Sequence, residues 1–172
     1  KLDASGNFIW AKQFSGLIIN IGQEKSFGID GTGSVFITGY FNGTIDCDPG
    51  AGIVNLTSIS NLNGFIIKLD ASGNFIWAKL LEGLAYVVPM TICIDQSGNS
   101  YIGGYLDGTG DFDPGSGVFN LTSSAGSDIF ILKLDNTGGF IWAKQFAGSG
   151  NEYATSITVD YSGFVYSTGY FQ

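Results

Sequence analysis

The chain has 172 residues, 44% hydrophobic and 15% aromatic, with a net charge of −8. That is enough apolar material for a folded core and too much for a disordered chain. All seven basic residues are Lys and there is no His, which excludes a basic nucleic-acid-binding face, a His general base and a His-ligated metal.

The chain opens on Lys1-Leu2, the tail of a strand, followed by a turn at residues 3–6 and a strand carrying Phe8-Ile-Trp-Ala-Lys12. Residues 13–25 read as a loop. A short strand ends at Asp30, a second turn occupies residues 30–33, and a second strand covers 35–41. A long connection through Asp46 and Asp48 leads to Lys68-Leu69-Asp70, where the series begins again. In this second pass the short strand is 92–95 and the next is 101–106. An extra strand follows at 118–122, then a third at 129–135 and a fourth at 140–146. The last element is a strand at 164–171. No run approaches the roughly 18 apolar residues of a membrane-spanning helix, so no transmembrane segment is expected.

These elements recur because the sequence recurs. Phe-Ile-Trp-Ala-Lys occurs at residues 8–12, 75–79 and 140–144, and Lys-Leu-Asp at 1–3, 68–70 and 133–135. The repeats run approximately over 1–67, 68–132 and 133–172, and the length variation lies in the loop at 13–25. Asp-x-x-Gly occurs at residues 3–6, 30–33, 70–73, 95–98, 135–138 and 160–163. Asp at the first position of a turn accepts bonds from amides further along, and Gly at the fourth supplies positive φ. Strand, Asp-x-x-Gly, strand is therefore an antiparallel hairpin. Four such strands per repeat, with no helical period, predict an all-β protein: a β-propeller of four-stranded antiparallel blades of about 65 residues. A β-solenoid has shorter rungs and no such alternation of hairpins. The chain holds two complete blades plus complementary half-blades at its two ends. It is expected to be a segment of a longer propeller; the rival expectation is self-association through shared blades.

The motifs Val-Asp-Tyr-Ser-Gly-Phe-Val-Tyr-Ser-Thr-Gly-Tyr-Phe (159–171), Gly-Thr-Gly-Asp-Phe-Asp-Pro-Gly-Ser-Gly (108–117), Asn-Leu-Thr-Ser and Asp-Ile-Phe-Ile-Leu-Lys-Leu-Asp (128–135) resemble the SBBP β-propeller repeat of bacterial surface and secreted proteins. The resemblance covers essentially the whole chain. It implies a propeller at an extracellular or cell-surface location and no defined chemistry. The Lys-Leu-Asp hairpin is also similar to the Asp-box turn of sialidase-like propellers, with Lys1, Lys68 and Lys133 where Ser or Thr is usual.

Few residues invite a chemical role. Asp46 and Asp48 precede Pro49 in one long connection, and Asp107, Asp111 and Asp113 precede Pro114 in the next. Carboxylates at this spacing on a loop suit calcium, with Asp107, Asp111 and Asp113 the better set; they equally suit a turn in which Asp side chains hold amides. No other cofactor is expected. Trp10, Trp77 and Trp142 recur once per repeat, so packing between blades is expected of them rather than sugar stacking. Asn42, Asn55 and Asn120 begin N-glycosylation triplets, and strand pairing accounts for the recurring Asn-Leu-Thr. Cys47 and Cys93 hold different repeat positions and are expected as free thiols. Glu24, Glu82 and Glu152 do not recur, but no carboxylate pair of a glycosidase is apparent. The function expected is that of a non-catalytic scaffold or protein-interaction module, the alternative being a calcium- or carbohydrate-dependent adhesion module and, behind it, a fragment of a propeller hydrolase.

Overall fold

The computed structural model describes residues 1–16, 19–20 and 25–172. Among them there is no helix, and every pairing between named strands is antiparallel. The structural repeat is the sheet. It is offset from the sequence bounds 1–67, 68–132 and 133–172 because each sheet closes on the strands that open the next sequence repeat. The second structural repeat is a four-stranded sheet in the order β9 (Tyr86–Ile94), β10 (Ser100–Asp107), β13 (Asp128–Leu134) and β14 (Phe140–Phe146). The first repeat builds the same arrangement from β4 (Val35–Phe41), β7 (Asn63–Leu69) and β8 (Phe75–Gly83), with β2 (Ile19–Asn20) and β3 (Phe27–Ile29) both pairing β4. The third repeat contributes β15 (Tyr153–Val159) and β16 (Val165–Tyr170).

Each sheet is made by its hairpins, and the hairpins by their turns. In all six turns the Gly amide donates to the carbonyl of the Asp, and Gly φ lies between 79° and 86°. The Asp Oδ1 takes the amides two and four residues on, as Asp95 does with Ser97 and Asn99 at 2.9 Å. Such a carboxylate organises the turn as an anion, so all six Asp side chains titrate below the usual carboxylate range. At Asp70 the Asn74 backbone bond is the largest influence. At Asp95 the largest is partial burial, which opposes ionisation but is outweighed by bonds from Asn99, Ser97 and Tyr101.

In the second and third repeats the first strand is longer than the sequence suggests. β9 starts at Tyr86, six positions ahead of the expected 92–95, and it includes Pro89. Proline cannot donate to a ladder, and the register shifts between Gly103 and Gly104, opposite Thr91 and Pro89. The same irregularity lies between Ala154 and Ser156 of β15.

The extra strand is half of a hairpin that leaves its own sheet. β11 (Thr109–Asp111) and β12 (Asn120–Thr122) pair with each other, and β11 then pairs with β8 of the preceding repeat, Gly110 opposite Gly83 and Asp111 opposite Glu82. One repeat earlier, β5 (Thr44–Asp46) and β6 (Asn55–Thr57) form the equivalent arm, and β5 pairs with β1 (Ser15–Gly16). Each arm is closed by a threonine hydroxyl pair, Thr44 with Thr57 at 3.0 Å and Thr109 with Thr122 at 2.9 Å. An outermost strand exposes an unpaired edge, and the arms cap it.

The core sits between sheets. Phe36, Ile66 and Leu81 of the first repeat pack against Ile102, Leu106, Phe130, Leu132 and the arm residue Phe112 of the second. Cys47 holds the place of Phe112 one repeat earlier, beside Phe41, Ile45 and Phe65. Tyr101, Ile129 and Ile131 meet Ala154 and Ile157 of the third repeat.

Candidate functional site

What recurs at two junctions is a clamp on one carbonyl. Lys1 Nζ and Trp10 Nε1 both donate to the carbonyl of Ala71, at 2.9 and 3.3 Å. One repeat on, Lys68 Nζ and Trp77 Nε1 both donate to the carbonyl of Asn136, at 3.3 and 3.4 Å. The acceptor is the residue after the Asp of the next repeat's outer turn, so the clamp joins successive repeats. Lys68 is nearly buried; its ammonium lies 3.5 Å from Asp30 Oδ2 and 4.6 Å from the centre of the Phe36 ring. Lys133 sits likewise over Tyr101 at 4.7 Å. A cation held by a carboxylate, a carbonyl and a ring face tolerates burial. Trp10 and Trp77 are thus junction residues, as their repetition implies, and Lys1 and Lys68 share their acceptors. A carbonyl clamped in this way needs close approach, and a Cβ at Gly73 would overlap Lys12 and one at Gly138 would overlap Lys79.

The acidic connections lie on the arms. Asp111 Oδ1 accepts from the amides of Asp113 and Phe119 at 3.0 and 2.8 Å, and Asp113 Oδ1 from Gly115 at 2.8 Å. Asp46 and Asp48 repeat the pattern with Asp48, Val54 and Gly50. A Cβ at Gly52 or Gly117 would collide with the Asp48 or Asp113 carboxylate, which explains those glycines. Asp111 and Asp113 share a cleft of about 140 Å³ with Glu82, contributed by the preceding repeat. Asp107 ends β10 opposite Tyr86 and does not line that cleft. Among the described residues no group of three or more His, Cys, Asp or Glu is placed to hold a metal ion. In the earlier arm Ser15 faces Asp46 where Glu82 faces Asp111.

The remaining candidates scatter. Glu24 lies outside the described residues. Glu82 is exposed on β8, whereas Glu152 is buried just ahead of β15. Asn42, Asn55 and Asn120 are all exposed, and the last two stand opposite Asp46 and Asp111 in the arm ladders. Both cysteines are free; burial, reinforced by Asp46, pushes the Cys47 thiol up to about 12, and burial, reinforced by Asp95, pushes Cys93 up to about 11. Among the described residues no helix is long and apolar enough to cross a membrane.

Sequence reasoning missed three features of the site: the reach of the arms into the preceding repeat, the meeting of Glu82 with the acidic turn, and the burial of Glu152 with Asp128. The recurring Thr at 44, 57, 109 and 122 was an available signal for the arms, because each pair closes a two-stranded ladder.

Antiparallel sheets in series, capped by arms and joined by a recurring clamp, define an all-β repeat protein. Residues 141–170 match the SBBP family, described as a beta-propeller repeat, and bear out the resemblance carried by the motifs. The matched stretch runs from β14 through β16 and so crosses a junction between sheets. The chain is also similar to an uncharacterized WD repeat-containing protein of Acanthamoeba polyphaga mimivirus, at 27% identity over 192 residues. That match covers 95% of this chain and 13% of the viral protein, so the chain spans a small part of its relative.

Proposed function

We propose that the chain is a non-catalytic segment of a β-propeller, working at an extracellular or cell surface as a protein-interaction module. The observation that carries this reading is the use made of the recurring polar residues. Lys1, Trp10, Lys68 and Trp77 hold junctions, the six turn Asp residues hold turns, and the arm Asp residues hold arm amides. What is left over for a partner is shape and exposed loop side chains. The arms offer both: Ile53 and Val118 occupy equivalent places on the two arms, and both project into solvent beside the Asp-Pro-Gly turns. Rigid sheets would carry these loops, and the loops would carry specificity. The propeller-repeat match and the WD-repeat relative support an interaction role rather than a reaction.

The test pairs location with contact. Protease treatment of intact producing cells should remove the protein if it is displayed outside; full protection in intact cells and cleavage only after lysis would refute the location. A variant carrying Ile53→Asp and Val118→Asp should lose retention on those cells while keeping its melting temperature. Unchanged retention would remove the arm loops from the interaction.

A further inference from the structure

Asn-Gly occurs twice in the chain, at residues 42–43 and 63–64, and the fold treats the two pairs in opposite ways. An asparagine followed by glycine is chemically labile, because glycine has no Cβ to hinder attack by its own nitrogen on the neighbouring carboxamide. Asn42 and Gly43 lie between β4 and β5, outside both strands, and Asn42 is exposed. Among the described residues its carboxamide has no hydrogen-bond partner. Asn63 and Gly64 are both buried in β7, a strand paired on both sides. Asn63 Oδ1 accepts from the Ile59 amide at 2.9 Å, and its Nδ2 donates to the Gly83 carbonyl at 3.1 Å.

The following repeat carries the acid at the same place. Asp107 and Gly108 stand where Asn42 and Gly43 stand, and both glycines have a φ of 86°. Each glycine is held by one serine. The Gly43 amide donates to Ser58 Oγ at 2.8 Å, and the Ser58 amide donates to the Gly43 carbonyl at 2.8 Å. Ser123 holds Gly108 by the same two bonds, at 2.8 and 2.9 Å. A carboxylate in this position is therefore compatible with the connection and with the arm that follows it.

We infer that Asn42 is a site of spontaneous deamidation in the folded protein, and that the reaction sets the state of the first arm. The Gly43 nitrogen attacks Asn42 Cγ. The new N–C bond closes a succinimide ring, and Nδ2 leaves as ammonia with the proton that the Gly43 nitrogen gives up. Water then opens the ring. Opening at Cγ leaves an ordinary aspartate, the counterpart of Asp107. Opening at the backbone carbonyl leaves an isoaspartate, in which the chain runs through the former side chain and gains a methylene.

The two products differ in consequence. The aspartate adds a negative charge at the base of the arm and leaves its backbone path unchanged. The isoaspartate lengthens the chain beside a glycine that Ser58 holds from both sides. Just beyond it the arm sends Ile45 and Cys47 into the core, at 1% and 0% exposure. A close-packed core has no room for the extra methylene, so the Gly43–Ser58 pair must open and the base of the arm must loosen. The Ser58 hydroxyl also governs the rate. It accepts from the amide whose nitrogen must turn toward Asn42 Cγ, so attack requires that bond to break. The inference stands apart from the interaction reading and holds at any location of the protein.

The test ages the purified chain at mildly alkaline pH and maps it by peptide mass spectrometry. Asn42 should convert to a mixture of aspartate and isoaspartate while Asn63 stays intact, and in urea both should convert. Ser58→Ala should accelerate the conversion of Asn42 about fivefold, as the loss of one neutral hydrogen bond implies. The Asn42→Asp variant, a standard for the direct product, should keep the melting temperature of the fresh protein. Only the isoaspartate fraction of the aged sample should gain iodoacetamide labelling at Cys47. Asn42 left intact in native protein, under conditions that convert it in urea, would overturn the site. Equal conversion of Asn42 and Asn63 in native protein would overturn the control by the fold, and an unchanged rate in Ser58→Ala would overturn the restraint. Equal labelling of Cys47 in the fresh and isoaspartate forms would overturn the effect on the arm.

Discussion

Replacing Phe112 by Ala tests whether the arm is a structural member or an ornament. Phe112 is fully buried, and its ring centre lies 4.7 Å from that of Phe130. It enters the core between the first and second repeats from an arm whose backbone contacts with β8 are few: Gly110 and Asp111 opposite Gly83 and Glu82, and the Leu84 amide on the Thr109 carbonyl at 2.9 Å. Truncating a buried Phe to Ala removes about 3–5 kcal/mol, combining lost transfer energy with the cavity left behind. The tilted pair with Phe130 accounts for about 0.5–1.5 kcal/mol of that. Against a total of about 5–15 kcal/mol for a folded domain, the loss is large. Urea unfolding should show a lower midpoint with an unchanged slope. Hydrogen exchange at Leu84 should accelerate, because only the arm protects that amide. Val118→Ala, on the same arm but exposed, should change stability by less than about 0.5 kcal/mol. A Phe112→Ala loss below about 1 kcal/mol, or unaltered exchange at Leu84, would mean that the sheets cohere without the arm.

Three further outcomes follow from the same geometry. The six turn Asp residues titrate low in the folded state, so their contribution is present above the unfolded value near pH 4 and fades as pH falls through the lower folded values. Melting temperature should therefore drop steeply below about pH 4, and a flat profile down to about pH 2 would contradict the turn chemistry. Native protein should resist iodoacetamide at about pH 8, Cys47 being buried, Cys93 half-buried and both thiols raised, and should label fully in denaturant; rapid native labelling of Cys47 would place it outside the core. Calcium on the order of 1 mM should leave the melting temperature unchanged, since Asp46, Asp48, Asp111 and Asp113 already bind turn amides; a rise of several degrees would make those residues and Asp107 ligands.

The turns were legible in the sequence because their physics is local. An Asp and a Gly three positions apart complete the motif without any distant partner, and six copies remove the ambiguity of one. The fourth strand at 140–146 and the second at 35–41 were equally plain, lying between such turns. The start of β9 was not. Val87, Val88 and Pro89 follow Gly83 and Leu84, and a proline argues against a central strand until a bulge accommodates it. The arms were hidden for a different reason: their partners lie in another repeat, and an alignment of repeats shows what recurs but not what touches.

Repetition misleads in one further way, and Glu152 shows it. A residue that departs from its repeat is ordinarily read as free of structural duty, hence as a candidate for chemistry or as surface variation. Glu152 departs from Val87, yet it is buried at a junction with an unsatisfied oxygen. Its neighbour Asp128 departs from Asn63 at the same junction. Two carboxylates set this junction apart from the apolar one around Val87, and a buried carboxylate persists only where polar groups compensate its burial, as the Ser124 amide and Gln145 Nε2 do for Asp128 Oδ2. Departure from the repeat therefore marks a change in what a junction is made of before it marks a free side chain.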